Sequence, residues 1–184
     1  MKMGGKVVLV TGSTDGVGRY VASKLAEAGA KVLVHGRDRE RAEALIGEIS
    51  RQGGAAMFYQ ADLSSLAGTR QLADAVIADH ERLDVLINNA GIGSLSLGPE
   101  RRTSADGYEL RFAVNYLAGF LLAHLLAPLL KATAPSRIVN VASLGQHPLD
   151  FDDVMLTTGY SGTRAYAQSK LAQIMFTIDL AEEL

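Results

Sequence analysis

Thr11-Gly12-Ser13-Thr14-Asp15-Gly16-Val17-Gly18 is the stretch that decides the fold of this 184-residue chain. It follows the apolar run Val7-Val8-Leu9-Val10 and precedes a helical pattern that includes Tyr20, so it is predicted to turn from a strand into a helix. Glycines let the main chain turn sharply and let a ligand approach its amides. A helix start adds unpaired N–H groups and a positive dipole end. We therefore predict that this turn binds the pyrophosphate of a dinucleotide.

The spacing of these glycines is Gly-x3-Gly-x-Gly, which differs from the more common dinucleotide pattern Gly-x-Gly-x-x-Gly. A glycine-rich turn that only closes a tight connection between a strand and a helix would look similar. The rest of the chain has to distinguish these two interpretations.

Composition limits the classes of protein to consider. With 48% hydrophobic residues, the chain can bury a substantial core, and we expect one domain over residues 1–184. A net charge of -2 without a basic stripe gives no indication of a nucleic-acid partner. The absence of cysteine excludes disulfides and thiolate chemistry, and the four histidines lack metal-binding spacing, so no metal is predicted. The first apolar run is too short for a signal peptide, so a cytoplasmic location is expected.

Apolar runs alternate with helical patterns along the chain, which is typical of β-α-β units. The predicted strands cover residues 6–10, 31–35, 56–60, 84–88 and 137–141. The predicted helices cover residues 16–28, 39–52, 66–81, 104–133 and 164–184. This order predicts an α/β fold with a doubly wound, Rossmann-like parallel sheet, whose ligand crevice lies at the carboxyl ends of the strands.

Residues 110–130 are apolar enough to raise the question of a membrane span. Arg111, Asn115, His124 and Pro128 interrupt the run, so we predict a buried or dimer-forming helix and no membrane span. The stretch 144–163 is long for a connection in a compact domain and is predicted to be a loop near the active site.

The end of the second strand bears on the choice of cofactor. Gly36 offers no carboxylate to the adenosine ribose of NAD, whereas the guanidinium of Arg37 can pair with a 2′-phosphate. We predict NADP(H) rather than NAD(H). Asp38 keeps NAD(H) as the alternative, and Arg37 could also be a solvated residue at a helix start.

Two further strand ends carry candidate cofactor residues. Asp62-Leu63 could place a carboxylate on the adenine amino group, although Asp62 could equally cap the following helix. In Asn88-Asn89-Ala90-Gly91 the small residues let the backbone approach a cofactor, and the amides can tie neighbouring strand ends together. A plain turn would look similar.

Tyr166 and Lys170 are four residues apart, so on a helix they share one face and can point into one crevice. A free phenol is a poor acid or base at neutral pH, but a nearby ammonium group stabilises its phenolate form. An exposed helix face would show the same spacing. Ser143, just past the fifth strand, could bind a substrate carbonyl oxygen, and Asn115 is an amide that needs a polar partner within an apolar helix.

Together these elements resemble the short-chain dehydrogenase/reductase family. The long interval from Ser143 to Tyr166, with Gln146-His147-Pro148 and the run 165–173, is most similar to its retinol dehydrogenase and protochlorophyllide reductase branch. The matching positions, in the family's order, are the glycine turn 11–18, Asp62, Asn88-Asn89-Ala90-Gly91, Asn115, Ser143 and Tyr166-x3-Lys170. The resemblance spans nearly the whole chain. It implies hydride transfer between NADP(H) and a small-molecule carbonyl or alcohol substrate.

The resemblance also implies a role for each residue. Tyr166 is the general acid/base, Lys170 promotes its ionisation and holds the nicotinamide ribose, Ser143 orients the substrate oxygen, and Asn115 anchors a water in the proton relay. Tyr160-x3-Arg164 is a second, weaker match that lacks the lysine. The implied cofactor-binding residues are Thr11, Gly12, Ser13, Asp15, Gly16, Val17, Gly18, Arg37, Asp62, Leu63, Asn89, Ala90, Gly91, Tyr166 and Lys170.

The family departs from this sequence at its end, because it continues with at least one more parallel strand whereas the sequence ends at Leu184. We therefore expect the last strands of the family fold to be lacking, and the fifth strand to lie at the sheet edge. A non-catalytic NADP(H)-binding module or an inactive fragment is the alternative to an enzyme. A homo-oligomer could form through the helices around 104–133 and 164–184, with Leu117, Leu121, Leu171 and Ile178 as interface candidates.

Overall fold

The computed structural model describes residues 3–98 and 100–184. Five parallel strands form one sheet in the order β3-β2-β1-β4-β5. The strands are β1 (Val7–Val10), β2 (Lys31–Gly36), β3 (Ala55–Gln60), β4 (Val85–Asn88) and β5 (Arg137–Asn140). The helices are α1 (Gly16–Glu27), α2 (Arg39–Arg51), α3 (Leu66–Asp79), α4 (Leu110–Phe112), a π-helical turn (Ala113–Leu117), α5 (Ala118–Ala132) and α6 (Gly162–Glu183). The predicted fold class is confirmed.

Helices cover both faces of the sheet, and each face has its own apolar core. On one face, Val8 and Val10 of β1 pack with Ala22 of α1 and Leu45 of α2. On the opposite face, Leu9 lies in a second cluster with side chains of α3, α5 and α6. The alternation of neighbouring β1 residues between the two clusters explains why the whole strand is apolar.

The carboxyl ends of the central strands meet at one edge of the sheet. Strand order reverses at β1, because the chain adds β2 and β3 on one side and β4 and β5 on the other. Val10 pairs with Ile87, and Asn88 pairs with Asn140, so these ends are in register. The turn after β1 and the segments after β4 and β5 therefore border one crevice, as expected at a topological switch point.

The long helix predicted to begin at Ser104 begins instead at Leu110. The Ser104 hydroxyl oxygen accepts the N–H of Tyr108 and closes a turn, which is a local alternative to helix. The Glu109 carboxylate then caps the new helix by accepting the N–H of Phe112 at 2.7 Å.

The continuous helical segment Leu110–Ala132 has the length of a membrane span and a mean hydropathy of 1.7. In the structure, Leu122, Leu126 and Leu130 are buried in the core beside α3, so the apolar character has a role within the fold. Phe120 is partly exposed, on the outer surface of the segment.

The chain between β5 and α6 contains no helix or strand, which agrees with the predicted loop. Helix α6 starts at Gly162, two residues before its predicted start, because Ser161 caps it by accepting the N–H of Arg164. β5 is an edge strand, and Val139 on it is 44% exposed.

Candidate functional site

The glycine turn after β1 packs too closely against its neighbours for side chains. Gly12 has a φ of +63°, and a Cβ on it would lie 2.8 Å from the Cα of Ala90. A Cβ on Gly18 would collide with the carbonyl oxygen of Gly12 and the side-chain nitrogen of Asn89. Glycine is therefore required at both positions by space, and at Gly12 by backbone conformation as well.

The hydroxyl groups of Thr11 and Ser13 in this turn point into the protein. The Thr11 oxygen accepts the N–H groups of Asn89 and Ala90 at 2.9 and 3.0 Å. The Ser13 oxygen accepts the N–H of His35 at 2.9 Å. These two predicted cofactor residues hold the shape of the turn through their side chains, which leaves ligand contacts to the main chain.

The start of α1 offers free donors beside this turn. Asp15 caps the helix by accepting the N–H of Gly16 at 2.7 Å. Within the described residues, the N–H groups of Val17 and Gly18 have no hydrogen-bond acceptor. Val17 is 68% exposed, so solvent or a ligand can reach this first turn. Unpaired donors at the positive end of a helix form a site suited to phosphate.

His35 is a buried residue of β2, and its role could not be predicted from the glycine motif. Its Nδ1 atom accepts the N–H of Gly12 at 3.1 Å, so it supports the glycine turn from below. Burial lowers the pKa of His35 to about 4, so the imidazole is neutral near pH 7 and Nδ1 remains an acceptor. A polar residue in an otherwise apolar strand was the available signal.

The carboxyl end of β2 presents an exposed guanidinium. A Cβ on Gly36 would lie 2.5 Å from the Thr14 side chain, so the strand end has no room for an acidic side chain. Arg37 is exposed at this end. Asp38 caps α2 by accepting the N–H of Arg41 at 3.1 Å, and the two side chains form an ion pair at 3.2 Å.

Asp62 and Leu63 follow β3. The Asp62 carboxylate is exposed and accepts the N–H of Ser64 at 2.9 Å, while Leu63 is buried. The residue that caps α3 is Ser65, so the alternative interpretation of Asp62 as that cap is wrong.

Asn88, the last residue of β4, and Asn89, which follows it, tie three strand ends together. The Asn88 amide donates to the Asn140 side-chain oxygen at 2.8 Å, across to β5. The Asn89 amide donates to the carbonyl oxygens of Thr11 at 2.9 Å and Gly12 at 3.2 Å. The function predicted for these amides is therefore observed, and the crevice floor is cross-linked from β1 to β5.

Asn115 lies in the π-helical turn and is buried. Its side-chain oxygen accepts the N–H of Ile92 at 2.7 Å, and its amide nitrogen donates to the Ile92 carbonyl and to the Ser169 hydroxyl. Both amide hydrogens are therefore used within the protein. Asn115 joins the loop after β4 to α6, and π-turns of this kind are frequent at functional sites. Ser169 carried no signal in the sequence.

Lys170 is buried at the ends of β4 and β5. Its Nζ atom donates to the Val141 carbonyl at 2.6 Å and to Gln173 at 3.1 Å. A Cβ on Gly91 would lie 3.8 Å from this Nζ atom and 3.3 Å from the Asn115 oxygen, so both groups border the space beside Gly91. Desolvation lowers the pKa of Lys170 to about 8, which leaves it mostly charged at pH 7.

Ser143 and Tyr166 face each other across Gly145. A Cβ on Gly145 would lie 3.6 Å from the Ser143 hydroxyl oxygen and 3.8 Å from Cε1 of Tyr166. Both side chains are partly exposed, and the Ser143 oxygen accepts the N–H of Gly145 at 3.1 Å. The structure thus brings Ser143, Tyr166 and Lys170 to the same end of the sheet.

Tyr160 and Arg164, the second match to the tyrosine motif, interact with residues outside the candidate site. The Tyr160 hydroxyl donates to Glu109 at 3.0 Å, and Arg164 forms an ion pair with Asp150 at 2.9 Å. Across residues 3–98 and 100–184, no group of three or more His, Cys, Asp or Glu side chains could hold a metal ion.

Comparison with known proteins places these features in a family. The family model described as short chain dehydrogenase matches residues 6–184. Human retinol dehydrogenase 11 is 42% identical over 188 residues, with 100% of this chain and 58% of the relative covered. Human retinol dehydrogenase 14 is 40% identical over 199 residues, with coverage of 99% and 58%. The chain therefore spans a little over half the length of these curated relatives.

A solved structure is also similar. A short-chain oxidoreductase of metagenomic origin, crystallised in complex with NADP, superposes with a TM-score of 0.82 at 34% identity. The match covers 99% of this chain and 77% of the other.

Proposed function

The chain belongs to the short chain dehydrogenase family, a family of oxidoreductases, and from this premise we propose that it transfers a hydride between NADP(H) and a carbonyl or alcohol substrate. The observation that carries the proposal is the convergence of Ser143, Tyr166 and Lys170 at the carboxyl ends of β4 and β5. The similarity to retinol dehydrogenases supports a carbonyl–alcohol interconversion.

The residues present fit a dinucleotide. The glycine turn excludes side chains where a pyrophosphate would lie against the main chain, and the free N–H groups of Val17 and Gly18 can donate to it. Lys170 and the small residues Ala90 and Gly91 border the space next to Asn115. When bound, NADP(H) supplies or accepts the hydride, while the protein positions the substrate and moves the proton.

We assign proton transfer to Tyr166, and positioning of the reacting groups to the other side chains. Tyr166 donates its phenolic proton to the substrate oxygen during reduction and takes a proton back during oxidation. Lys170, held by Val141 and Gln173, places a positive charge at this end of the sheet, one helical turn from Tyr166. Ser143 donates a hydrogen bond to the same substrate oxygen, and Asn115 fixes the loop that borders the crevice.

The residues at the carboxyl end of β2 favour NADP(H) over NAD(H). Asp38 is engaged as a helix cap and ion-pair partner, whereas Arg37 is exposed at the strand end where a 2′-phosphate would lie. Gly36 has no side chain that could compete for the ribose.

Replacing Arg37 with Ser is expected to weaken NADPH binding by about 10- to 100-fold, because a hydrogen bond to a charged phosphate contributes roughly 1.5–3 kcal/mol. NADH binding should change by less than about twofold, since NADH lacks the phosphate. Fluorescence titration with both cofactors measures this. Arg51→Ser, at the exposed end of α2, is the matched control. Equal losses for NADPH and NADH would contradict the role of Arg37.

The proposed reaction is tested by incubating the purified chain with NADPH and a panel of aldehydes, ketones and retinoid-like carbonyl compounds. Absorbance of NADPH follows its oxidation, and chromatography identifies the alcohol. An enzyme consumes NADPH and forms alcohol in equal amounts. Tight NADPH binding without turnover across the panel would instead support the alternative, a module that binds the cofactor without catalysis.

A further inference from the structure

We propose that Glu109, Arg111 and Tyr160 form a positioning unit, here called the buried clamp, which fixes the loop after β4 against the start of the helix that carries Tyr166. The inference rests on the proposed function for its catalytic consequence.

Arg111 is the centre of the buried clamp, and its side chain is 0% exposed. Its guanidinium donates to the carbonyl oxygens of Gly93 at 3.2 Å and Ser94 at 3.0 Å, both in the loop after β4. It also donates to the Tyr160 hydroxyl at 2.6 Å, two residues before α6. One planar group therefore spans two segments that are far apart in sequence.

Glu109 completes the buried clamp. The Tyr160 hydroxyl donates to one Glu109 oxygen at 3.0 Å, and the other oxygen accepts the N–H of Phe112 at 2.7 Å. Glu109 and Arg111 are 3.8 Å apart at their nearest charged atoms, so the two buried charges compensate each other through the hydroxyl and directly. Burial and the neighbouring Glu109 raise the pKa of Tyr160, which keeps its bridging proton in place.

The polar composition of the buried clamp indicates that it fixes the relative position of the segments it joins, rather than adding stability. Apolar residues of similar volume stabilise a core as well as a buried ion pair or better, because two charges must be desolvated. Directed hydrogen bonds, in contrast, allow one relative placement of the groups they join. Gly162 packs on Arg111 so closely that a Cβ there would lie 3.0 Å from the guanidinium and 3.0 Å from the Ser94 oxygen. The start of α6 therefore rests directly on the clamp.

Both joined segments border the reaction site. The loop begins at Gly91 and Ile92, next to Asn115 and Lys170, and Tyr166 follows Tyr160 by six residues. Beside the clamp, the loop residues Ser94, Leu95 and Gly98 and residues 160–163 line a cavity of about 410 Å³. The clamp thus sets the separation between the loop and the catalytic helix. Proton and hydride transfer are sensitive to shifts of about 1 Å.

Tyr160→Phe tests the clamp, since it removes the bridging hydroxyl and keeps the ring. We expect kcat to fall about 10- to 100-fold, with the dissociation constant of NADPH changed by less than about twofold. The primary isotope effect with deuterated NADPH should increase, because hydride transfer becomes slower relative to release of products.

Tyr108→Phe is the matched control, because this tyrosine is also partly exposed and its hydroxyl makes no hydrogen bond within the described residues. It should leave kcat unchanged. Wild-type kcat in Tyr160→Phe would overturn the proposal. A variant that loses thermal stability and NADPH affinity in parallel with kcat would also overturn it, because that pattern indicates general destabilisation.

Hydrogen exchange separates failure of the clamp from failure of the proposed function. Tyr160→Phe should speed the exchange of amides in residues 92–96 relative to the Tyr108→Phe control, whether or not turnover is detected. If the wild-type chain binds NADPH but reduces no carbonyl, the proposed reaction is wrong and exchange alone decides the clamp. Unchanged exchange in these residues would overturn it.

Discussion

Tyr166→Phe is expected to lower kcat for carbonyl reduction by about 100- to 10,000-fold, the range over which a positioned general acid contributes to catalysis. The substitution removes one hydroxyl and retains the ring. The residue borders an open space shared with Ser143, so no packing is lost. The dissociation constant of NADPH should therefore change by less than about threefold. Steady-state kinetics and a fluorescence titration on the same preparation measure both quantities.

Tyr20→Phe provides the control for this experiment, because Tyr20 is 65% exposed on α1 and has no place in the proposed reaction. Its kcat should equal that of the unmodified chain. If Tyr166→Phe retained more than about a tenth of the turnover, the proton would have to come from another group, and Ser143 would be the next residue to replace. Such a result would leave the dinucleotide site intact and change only the assignment of the acid.

The central part of the fold could be predicted because helices cover both faces of the sheet there. In β1, β2 and β4 the sheet is covered by helices, so their sequences are nearly continuous apolar runs, and the observed bounds differ from the predicted ones by one residue at most. The start of the long helix could not be predicted in the same way. Ser104 and Glu109 compete as caps, and the side chain that succeeds depends on the tertiary packing of Arg111 and Phe112.

The residues of the candidate site could be predicted where a fixed spacing along the sequence identifies them. They could not be predicted where the site depends on contacts between distant segments. Tyr166 and Lys170 share a helix face at any location, so a sequence reveals the pair. The hydrogen-bond partners of Lys170 and Asn115 could not be predicted from spacing. Lys170 donates to the main-chain carbonyl of Val141, a group that every residue has, and Asn115 donates to Ser169, which no sequence pattern distinguishes from other serines. From the sequence, Arg111 is only a charge that interrupts an apolar run. Its neighbour Glu109 was the available indication of a buried pair.

Gly18→Ala is expected to abolish high-affinity NADPH binding, with a loss of at least about 100-fold, and to lower the free energy of unfolding by about 1–3 kcal/mol. The added Cβ would collide with the Gly12 carbonyl oxygen and lie 3.0 Å from the Gly12 carbonyl carbon. These are main-chain atoms, so the glycine turn and α1 have to move apart. That movement shifts the N–H groups of Val17 and Gly18, which lie in α1, relative to Gly12 and Asn89, and these N–H groups are the donors that a pyrophosphate requires.

The matched control is Gly47→Ala in α2, where a Cβ meets nothing within 4 Å. This change should stabilise the chain by roughly 0.5–1 kcal/mol, because alanine loses less backbone entropy in a helix than glycine does. Thermal unfolding with and without NADPH separates the two effects. NADPH should raise the Tm of the control as it does for the unmodified chain, and it should not raise the Tm of Gly18→Ala. If Gly18→Ala bound NADPH within about threefold of the unmodified chain, the close approach of α1 to the glycine turn would not be what the cofactor requires, and the pyrophosphate would have to bind elsewhere in the crevice.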